Sequence, residues 1–531
     1  MYRRSPPSPL SVETFNLPFG GKLTGSNRWV KLAELIPWEE LEGSYAEQFS
    51  ERMGAPAKPF RVALGALIIK EKLGTSDEET VQQIRENPYL QYFLGFSDYQ
   101  DEAPFDASMM VHFRKRLNLE IMNQVNEVVA KRINGREDES PSPEEPSPEE
   151  PSPEERQEER QEDVQEKKDE DPPSPPNHGQ LIVDATCAPA DIRYPTDLSL
   201  LNEAREASEA IIDALYEQVR ESLPVKPRTY RQLARKAYLR VAKQRKPKAT
   251  VRRKGIRKQL NYLGRNLRHM DALIESGASL ALLSRRLYRL LLVIHELYRQ
   301  QLTMYETKTR RIDDRIVSLS QPHIRPIVRG KAGVPVEFGA KLSVSCVQGV
   351  VFLDRLSWDN FNESTHLQDQ VEAFYRRFGH YPESVHADQI YRTRANRSYC
   401  KALGIRLSGP PLGRPHQDPE VQSQLKQQAR LDEAVRVWIE GKFGQAKRRF
   451  SLARVMTKLA ETSESAIAIT VLVLNLERWL QLLFSFRFRL SFLALSSLKP
   501  ILDLWQAVLI QLHRVSCSLL GSFPNRLGYC P

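Results

Sequence analysis

Arg436-Val-Trp-Ile-Glu440-Gly-Lys-Phe-Gly-Gln-Ala-Lys447 is the stretch around which the rest of the chain is organised. Its spacing predicts a helix. At 100° per residue, Arg436, Glu440 and Lys447 fall within roughly 40° of one another, so one carboxylate stands between two cations on one face. Val435, Trp438, Ile439 and Ala446 gather on another face, suited to packing against a sheet. A single glutamate cannot pair fully with both cations, which leaves it capacity for a further partner such as a metal ion.

Two upstream stretches offer companions. Gly179-Gln-Leu-Ile-Val-Asp184 and Ser384-Val-His-Ala-Asp388 are short apolar runs that end in an aspartate, and both read as strands. Ligand sites in α/β sheets form at the carboxyl ends of strands, where both aspartates are expected. Asp184, Asp388 and Glu440 together suit divalent cations that prefer oxygen ligands. Two such ions can clamp the attacking and leaving oxygens of an in-line phosphoryl displacement. Each acid also has a plainer reading: a turn or cap residue for Asp184 and Asp388, and for Glu440 an exposed ion pair with Arg436 at i−4. Asp354, closing Val350-Val-Phe-Leu-Asp354, is a fourth candidate by the same pattern. His386 fits a strand residue facing away from Asp388 better than a proton carrier.

The 531 residues leave room for two or three domains, and a net charge of +10 points to a polyanionic partner. The charge is unevenly spread. Residues 136–171 hold 17 acids against 5 bases, so the remainder carries +22. Five cysteines lie far apart with no CxxC pair, which argues against a zinc site or a disulfide framework and for a reducing compartment. Met1-Tyr-Arg-Arg-Ser-Pro-Pro lacks the apolar core of a signal peptide, and no apolar run is long enough for a membrane span. A cytoplasmic, nucleoid-associated location is expected.

Four segments follow from the patterning. Residues 1–134 read as an all-helical domain. One helix starts at Phe60, a second opens with Ser76-Asp-Glu-Glu79 as a capping box, a third follows Pro88, and a fourth is capped by Asp106. That last helix should carry Phe113 inward and Arg114, Lys115 and Arg116 outward, which fits a helix-turn-helix-like DNA contact. A bundle that only pairs subunits is the alternative. Residues 135–179, with Pro-Ser-Pro-Glu-Glu three times in tandem, read as a disordered acidic linker. Residues 180–483 read as the α/β domain, interrupted at about 200–325 by a helical insertion. Inside it, Pro224 to Met270 holds 17 Lys and Arg and no acid, with tyrosines between them. Arg252, Arg253, Lys254, Arg257 and Lys258 head this patch, which suits salt-sensitive, sequence-blind phosphate binding. The sheet resumes with Val336–Val347 and Val350–Ser357, joined by Gln348-Gly349 as a two-residue hairpin turn. A helix at Leu367–Phe378, another near Arg394–Leu403 and a short strand near Gly404–Ser408 precede the Glu440 helix. Ser465 to Leu483 is an apolar helix, and residues 484–531 form a tail without clear pattern.

The order and spacing of these pieces resemble the bacterial insertion-sequence transposases of the DDE type, the "IS five" and "IS four" groups. Arg436-x3-Glu440-x6-Lys447 is similar to their glutamate signature, Asp184-Ala-Thr to the first aspartate motif and Asp388-x2-Tyr391 to the second. Residues 59–117, above all Phe105-Asp-Ala-Ser108 and Phe113-Arg-Lys-Arg-Leu117, resemble the N-terminal domain of the same proteins. Two departures stand out: Glu433 where the family has tyrosine, and Ile390 where it often has glycine. The resemblance implies an RNase-H-like mixed sheet, with the two aspartates on neighbouring strands. It implies two Mg²⁺, replaceable by Mn²⁺, held by Asp184, Asp388 and Glu440, with Arg436 and Lys447 gripping flanking phosphates. Hydrolysis at the element's ends and attack of the freed 3′-hydroxyl on target DNA would follow, in a homodimer on double-stranded terminal repeats. The alternatives are an inactive DNA-binding descendant, a nuclease without strand transfer, or a nucleic-acid-coating protein.

Overall fold

The computed structural model describes residues 1–2, 11–50, 54–134, 176–328, 336–410 and 418–485. Almost all of the acidic linker and of the tail lies outside them. The chain divides into two compact units, 1–475 and 476–531. The first holds every element that lines the site.

The N-terminal part is helical: α1 (Arg28–Leu35), α2 (Trp38–Ala46), α3 (Phe60–Leu73), α4 (Asp77–Glu86), α5 (Pro88–Phe93), α6 (Met109–Arg116) and α7 (Leu119–Asn134). Local chemistry sets these boundaries. Ser76 Oγ accepts from the Glu79 amide at 3.1 Å, but the Glu79 side chain turns to Gln83, so only half of the capping box closes. Pro88 opens α5 behind an Asn87 cap. Asp106 accepts from the Ser108 amide just ahead of α6. α3 is buried nearly all round, with Phe60, Leu64, Leu67 and Ile68 almost fully shielded.

The prediction that α6 shows its basic residues to solvent is half wrong. Lys115 is exposed and Phe113 is buried as expected, but Arg114 is only 5% exposed. Its guanidinium donates twice to Asp77, which also pairs with Lys70 at 3.0 Å. Burial pushes the Asp77 carboxyl up, yet Arg114 and Lys70 together hold it below the usual carboxylate range. Arg116 packs its guanidinium over the Phe49 ring. Arg114 is therefore a buried structural cation.

Among the described residues six strands form one mixed sheet: β1 (Gln180–Pro189), β2 (Arg325–Val328), β3 (Val336–Val347), β4 (Val350–Ser357), β5 (Ser384–His386) and β6 (Arg406–Leu407). β1 is central, antiparallel to β3 and parallel to β5, and β6 extends the parallel side. β4 folds back on β3 through Gln348 (φ 51°) and Gly349 (φ 82°), the two left-handed residues that a tight hairpin requires. β2 was not anticipated. It is a four-residue run preceding β3, too short to show alternation, and it pairs with the first residues of β3.

Between β1 and β2 the chain makes the helical insertion: α8 (Asp197–Val219), α9 (Arg231–Ala242), α10 (Ala249–Glu275) and α11 (Arg285–Thr307). It has its own core, in which Ile211, Leu215, Leu263, Leu267, Ile294 and Leu297 meet. The remaining helices are α12 (Leu367–Phe378), α13 (Arg394–Ala402), α14 (Pro419–Arg449) and α15 (Ala460–Ser485). α14 packs on β1 and β5, α12 on β1, and α7 on β4. Asn126 of α7 donates to the Val351 carbonyl and accepts from Asn475, tying the N-terminal helices to the sheet. Among the described residues α15 alone is long and apolar enough to cross a membrane, but 72% of its apolar window is buried inside the protein, as in a core helix.

Candidate active site

β1 runs five residues past Asp184, so this aspartate sits mid-strand rather than at the strand end expected for it. The parallel partner explains why it is still accessible. β5 pairs with β1 only from Gln180 to Ile182 and then stops. Among the described residues no strand takes over that edge of β1 between Val183 and Ala188, before Val455 bonds to Pro189, and Asp184 stands where the pairing with β5 runs out. Continuing the register by two residues brings Asp388, just past the end of β5, level with Asp184. α14 crosses β1 and β5 and adds Glu440. A cleft of about 540 Å³ is lined by Asp184, Asp388, Glu440 and Arg436, and also by Lys341, Asn362 and Glu363.

Each acid keeps its plainer partner as well. Asp184 accepts from the Ala185 amide at 2.8 Å, Asp388 caps a short turn through the Gln389 amide at 2.7 Å, and Glu440 accepts from Arg436 at 3.0 Å. Arg436 also donates twice to Glu433, at 2.7 and 3.3 Å. Glu433, foremost, with Glu440 and Asp388, holds the guanidinium firmly charged against the effect of burial. Burial pushes the Asp184 carboxyl up to about 6; the Ala185 amide and the Arg436 charge oppose this, and the negative charges of Glu363 and Asp388 add to it. The like charges in this cleft therefore repel, which a cation would relieve.

As a donor set the cleft is all oxygen, the kind that Mg²⁺ or Mn²⁺ takes. The side chains as placed do not yet surround an ion: among the described residues no three His, Cys, Asp or Glu groups stand close enough to share one. Glu440 would have to turn from Arg436, and its side chain, half exposed, has room to do so. The residues fit the ion in kind, and coordination requires rotamer changes.

Other candidates fall elsewhere. Lys447, two turns beyond Glu440, is half-buried and is not among the described residues that line the cleft. Asp354 lines a separate cavity of about 250 Å³, is paired with Arg377 at 3.1 Å and bonded by Gln370, and burial pushes its carboxyl up. His386 is fully buried against Ser384 and Asp432. On α14, Ile439 and Ala446 are buried as expected, but Trp438 is 58% exposed, because the helix meets the sheet along a narrower strip than its apolar face. Arg252, Arg253, Lys254, Arg257 and Lys258 are all exposed on the first turns of α10, although Arg253 also donates to the Tyr305 carbonyl and stacks on its ring.

Sequence reasoning missed Lys341 and Glu363. They pair at 2.9 Å, and Lys341 donates further to the Phe361 carbonyl at 2.7 Å. Lys341 lies on β3 and Glu363 in the loop after β4, neither in a motif. Strand register brings Lys341 to the cleft, and the turn that follows β4 brings Glu363.

Comparisons with known proteins give two domain matches. Residues 385–477 match the family described as "Transposase DDE domain", a span that includes Asp388 and Glu440 and begins after Asp184. Residues 19–116 match "Transposase domain (DUF772)". A curated relative from Rhizobium meliloti, "Uncharacterized protein ORF8 in nfe locus", is 42% identical over 88 residues, 17% of this chain. The chain spans 42% of that relative's length. No solved structure matches.

Proposed function

We propose, for a chain whose two domain matches support an insertion-sequence transposase of the DDE type, that it cuts DNA at the ends of a mobile element and joins the freed 3′-hydroxyl to target DNA. The observation that carries this reading is the single cleft lined by Asp184, Asp388 and Glu440, three acids from distant parts of the chain. The sheet order, with β1 between an antiparallel hairpin and a parallel β5–β6 side, supports an RNase-H-like core.

In this reading Asp184, Asp388 and Glu440 hold two Mg²⁺ ions. When bound, these supply Lewis-acid polarisation of the phosphoryl oxygens. Arg436, fixed by Glu433, remains when Glu440 swings to the ion, and its freed N–H groups grip a phosphate oxygen beside the scissile bond. Lys341, braced by Glu363, offers a second cation at the cleft wall. The 252–258 patch and Lys447 hold DNA outside the cleft, and two copies acting on paired ends fit the need to join them.

The test is nicking of a duplex carrying the element's terminal inverted repeats, with and without Mg²⁺. Wild type should cut and then join strands only with the metal. Asp184→Asn, Asp388→Asn and Glu440→Gln should bind the duplex and fail to cut. Full cutting by either aspartate variant would overturn the assignment, and cutting without joined products would leave a nuclease.

A further inference from the structure

The parallel side of the sheet is thin where the cleft acids stand. β5 pairs with β1 over three residues and with β6 over two, so Asp388, two residues past the end of β5, lies beyond the ladder. It caps the short turn Gln389–Tyr391 instead. Glu363 opens a second turn, Glu363–His366, and the two turns pack on each other. Both face the cleft, which Asn362, Glu363, Asp388 and Ile390 help to line. Each turn brings a carboxylate, and like charges oppose their contact even with Lys341 paired to Glu363. The side-chain amide of Asn396 ties the two turns together. Its Nδ2 donates to the Tyr391 carbonyl and to the Ser364 carbonyl, each at 2.8 Å. Asn396 is 3% exposed, so both bonds are shielded from water. Its place in the chain explains the reach. Asn396 is the third residue of α13, capped by Thr393, whose Oγ1 accepts from the Asn396 amide at 3.2 Å. A helical side chain leans back toward the N-terminus, here over the chain that has just left the Asp388 turn.

We propose that Asn396 is a positioning residue for the cleft: it clamps the Asp388 turn to the Glu363 turn and so sets the spacing of the carboxylates that receive a cation. The proposal rests on the reading of the cleft as a metal-dependent cutting site and deepens it. Two donors on one short, uncharged side chain are what the place needs. A carboxylate would be repelled by both carbonyls, and a hydroxyl has one proton to give. Without the clamp the turns relax apart under their like charges, and part of the binding energy of a cation goes into closing them. The loss therefore appears in metal affinity, and excess metal overcomes it.

The experiment uses the full chain and Mn²⁺, whose free concentration is read by electron paramagnetic resonance, without DNA. Ions still held by Asp184→Asn with Asp388→Asn are subtracted, which removes those taken by the acidic residues 136–171. In Asn396→Leu, which fills similar space and donates nothing, the Mn²⁺ dissociation constant should rise about 10-fold, the lower end of what losing an outer partner costs a metal site. Asn396→Ala is the milder variant. It leaves room for a water between the two carbonyls, so a smaller rise is expected. Thr393→Ala removes the cap of α13 but not the clamp, and should lower the melting temperature while keeping the wild-type Mn²⁺ constant. On a duplex carrying the terminal repeats, the Mg²⁺ needed for half-maximal cutting by the Asn396 variants should rise in step, with the rate at saturating Mg²⁺ near wild type. An unchanged Mn²⁺ constant in both Asn396 variants would overturn the clamp and leave the cleft reading intact. So would an equal rise in Thr393→Ala, which would trace the loss to α13 as a whole, and so would a rate loss that no Mg²⁺ concentration restores. A wild-type chain that holds no Mn²⁺ beyond that background would instead defeat both readings.

Discussion

A cation's sequence neighbourhood says little about what it will touch, as Arg114 illustrates. Arg114 sits in the basic run His112-Phe-Arg-Lys-Arg116, yet its side chain follows Phe113 inward because Asp77 at the start of α4 waits there to accept two hydrogen bonds. Removing one partner of a buried pair leaves the other charge uncompensated. Arg114→Met should therefore cost about 3 kcal/mol in urea unfolding, with no change in the salt slope of DNA binding. A loss of DNA affinity without loss of stability would return Arg114 to the surface. Lys72 gives a pH prediction of definite sign. Burial, foremost, pushes its amine down to about 7 in the folded chain from 10.5. Between those values the unfolded chain binds the extra proton, so stability rises with pH through that window and the penalty is in full force below it. Melting temperatures at about pH 6 and about pH 9 should show wild type gaining on Lys72→Met as the pH rises; a constant difference would mean that Lys72 is not depressed.

At the scale of elements, the placement of Asp184 depends on how closely β1 and β3 approach. Gly339 of β3 lies opposite Pro189, and a Cβ added there would stand 2.1 Å from the Ala188 carbonyl oxygen, which is backbone and cannot yield. Gly339→Ala should cost at least 1–3 kcal/mol, about what overpacking costs elsewhere, and should also lower cleavage, because the strand that moves is the one carrying Asp184. Thermal melting and nicking measured together test this, and a stable variant with lowered activity would point instead to a local shift of β1 beside Asp184. Elements with strong local signals were legible in the sequence. The β3–β4 hairpin announces its turn with Gln348-Gly349, and α12 begins and ends where its periodicity does. The failures have a common cause. Whether Trp438 is covered, whether Arg114 points out, and whether Lys341 and Glu363 reach the cleft all depend on a partner element distant in the chain. A helical wheel shows which residues share a face but not how wide a strip the neighbour covers. The three acids were found because each belongs to a short recognisable pattern. The Lys341–Glu363 pair has none: the register of β3 against β1 places Lys341, and the turn after β4 places Glu363.

Across the whole molecule, the charges that attract DNA and those that cut it are kept apart. The cleft is lined by four carboxylates, Asp184, Glu363, Asp388 and Glu440, against Lys341 and Arg436. Without a cation bound it should repel a phosphate rather than attract one. Affinity must then come from elsewhere, and the exposed start of α10 is the densest source, in a chain that carries +22 outside residues 136–171. Two variants follow with opposite expected effects. Arg252→Gln, Lys254→Gln, Arg257→Gln and Lys258→Gln together should lower the salt slope of duplex binding by up to about 3.6, one counterion step for each phosphate released. Arg253 is spared because it also bonds the Tyr305 carbonyl. Asp184→Asn in metal-free buffer should bind as well as wild type or somewhat more tightly, since it removes a repelling charge while leaving the patch intact. Anisotropy titrations of both variants on one duplex decide the matter. If the cleft variant loses affinity and the patch variant does not, then the DNA is held by the acidic cleft itself, and the separation of grip from chemistry fails.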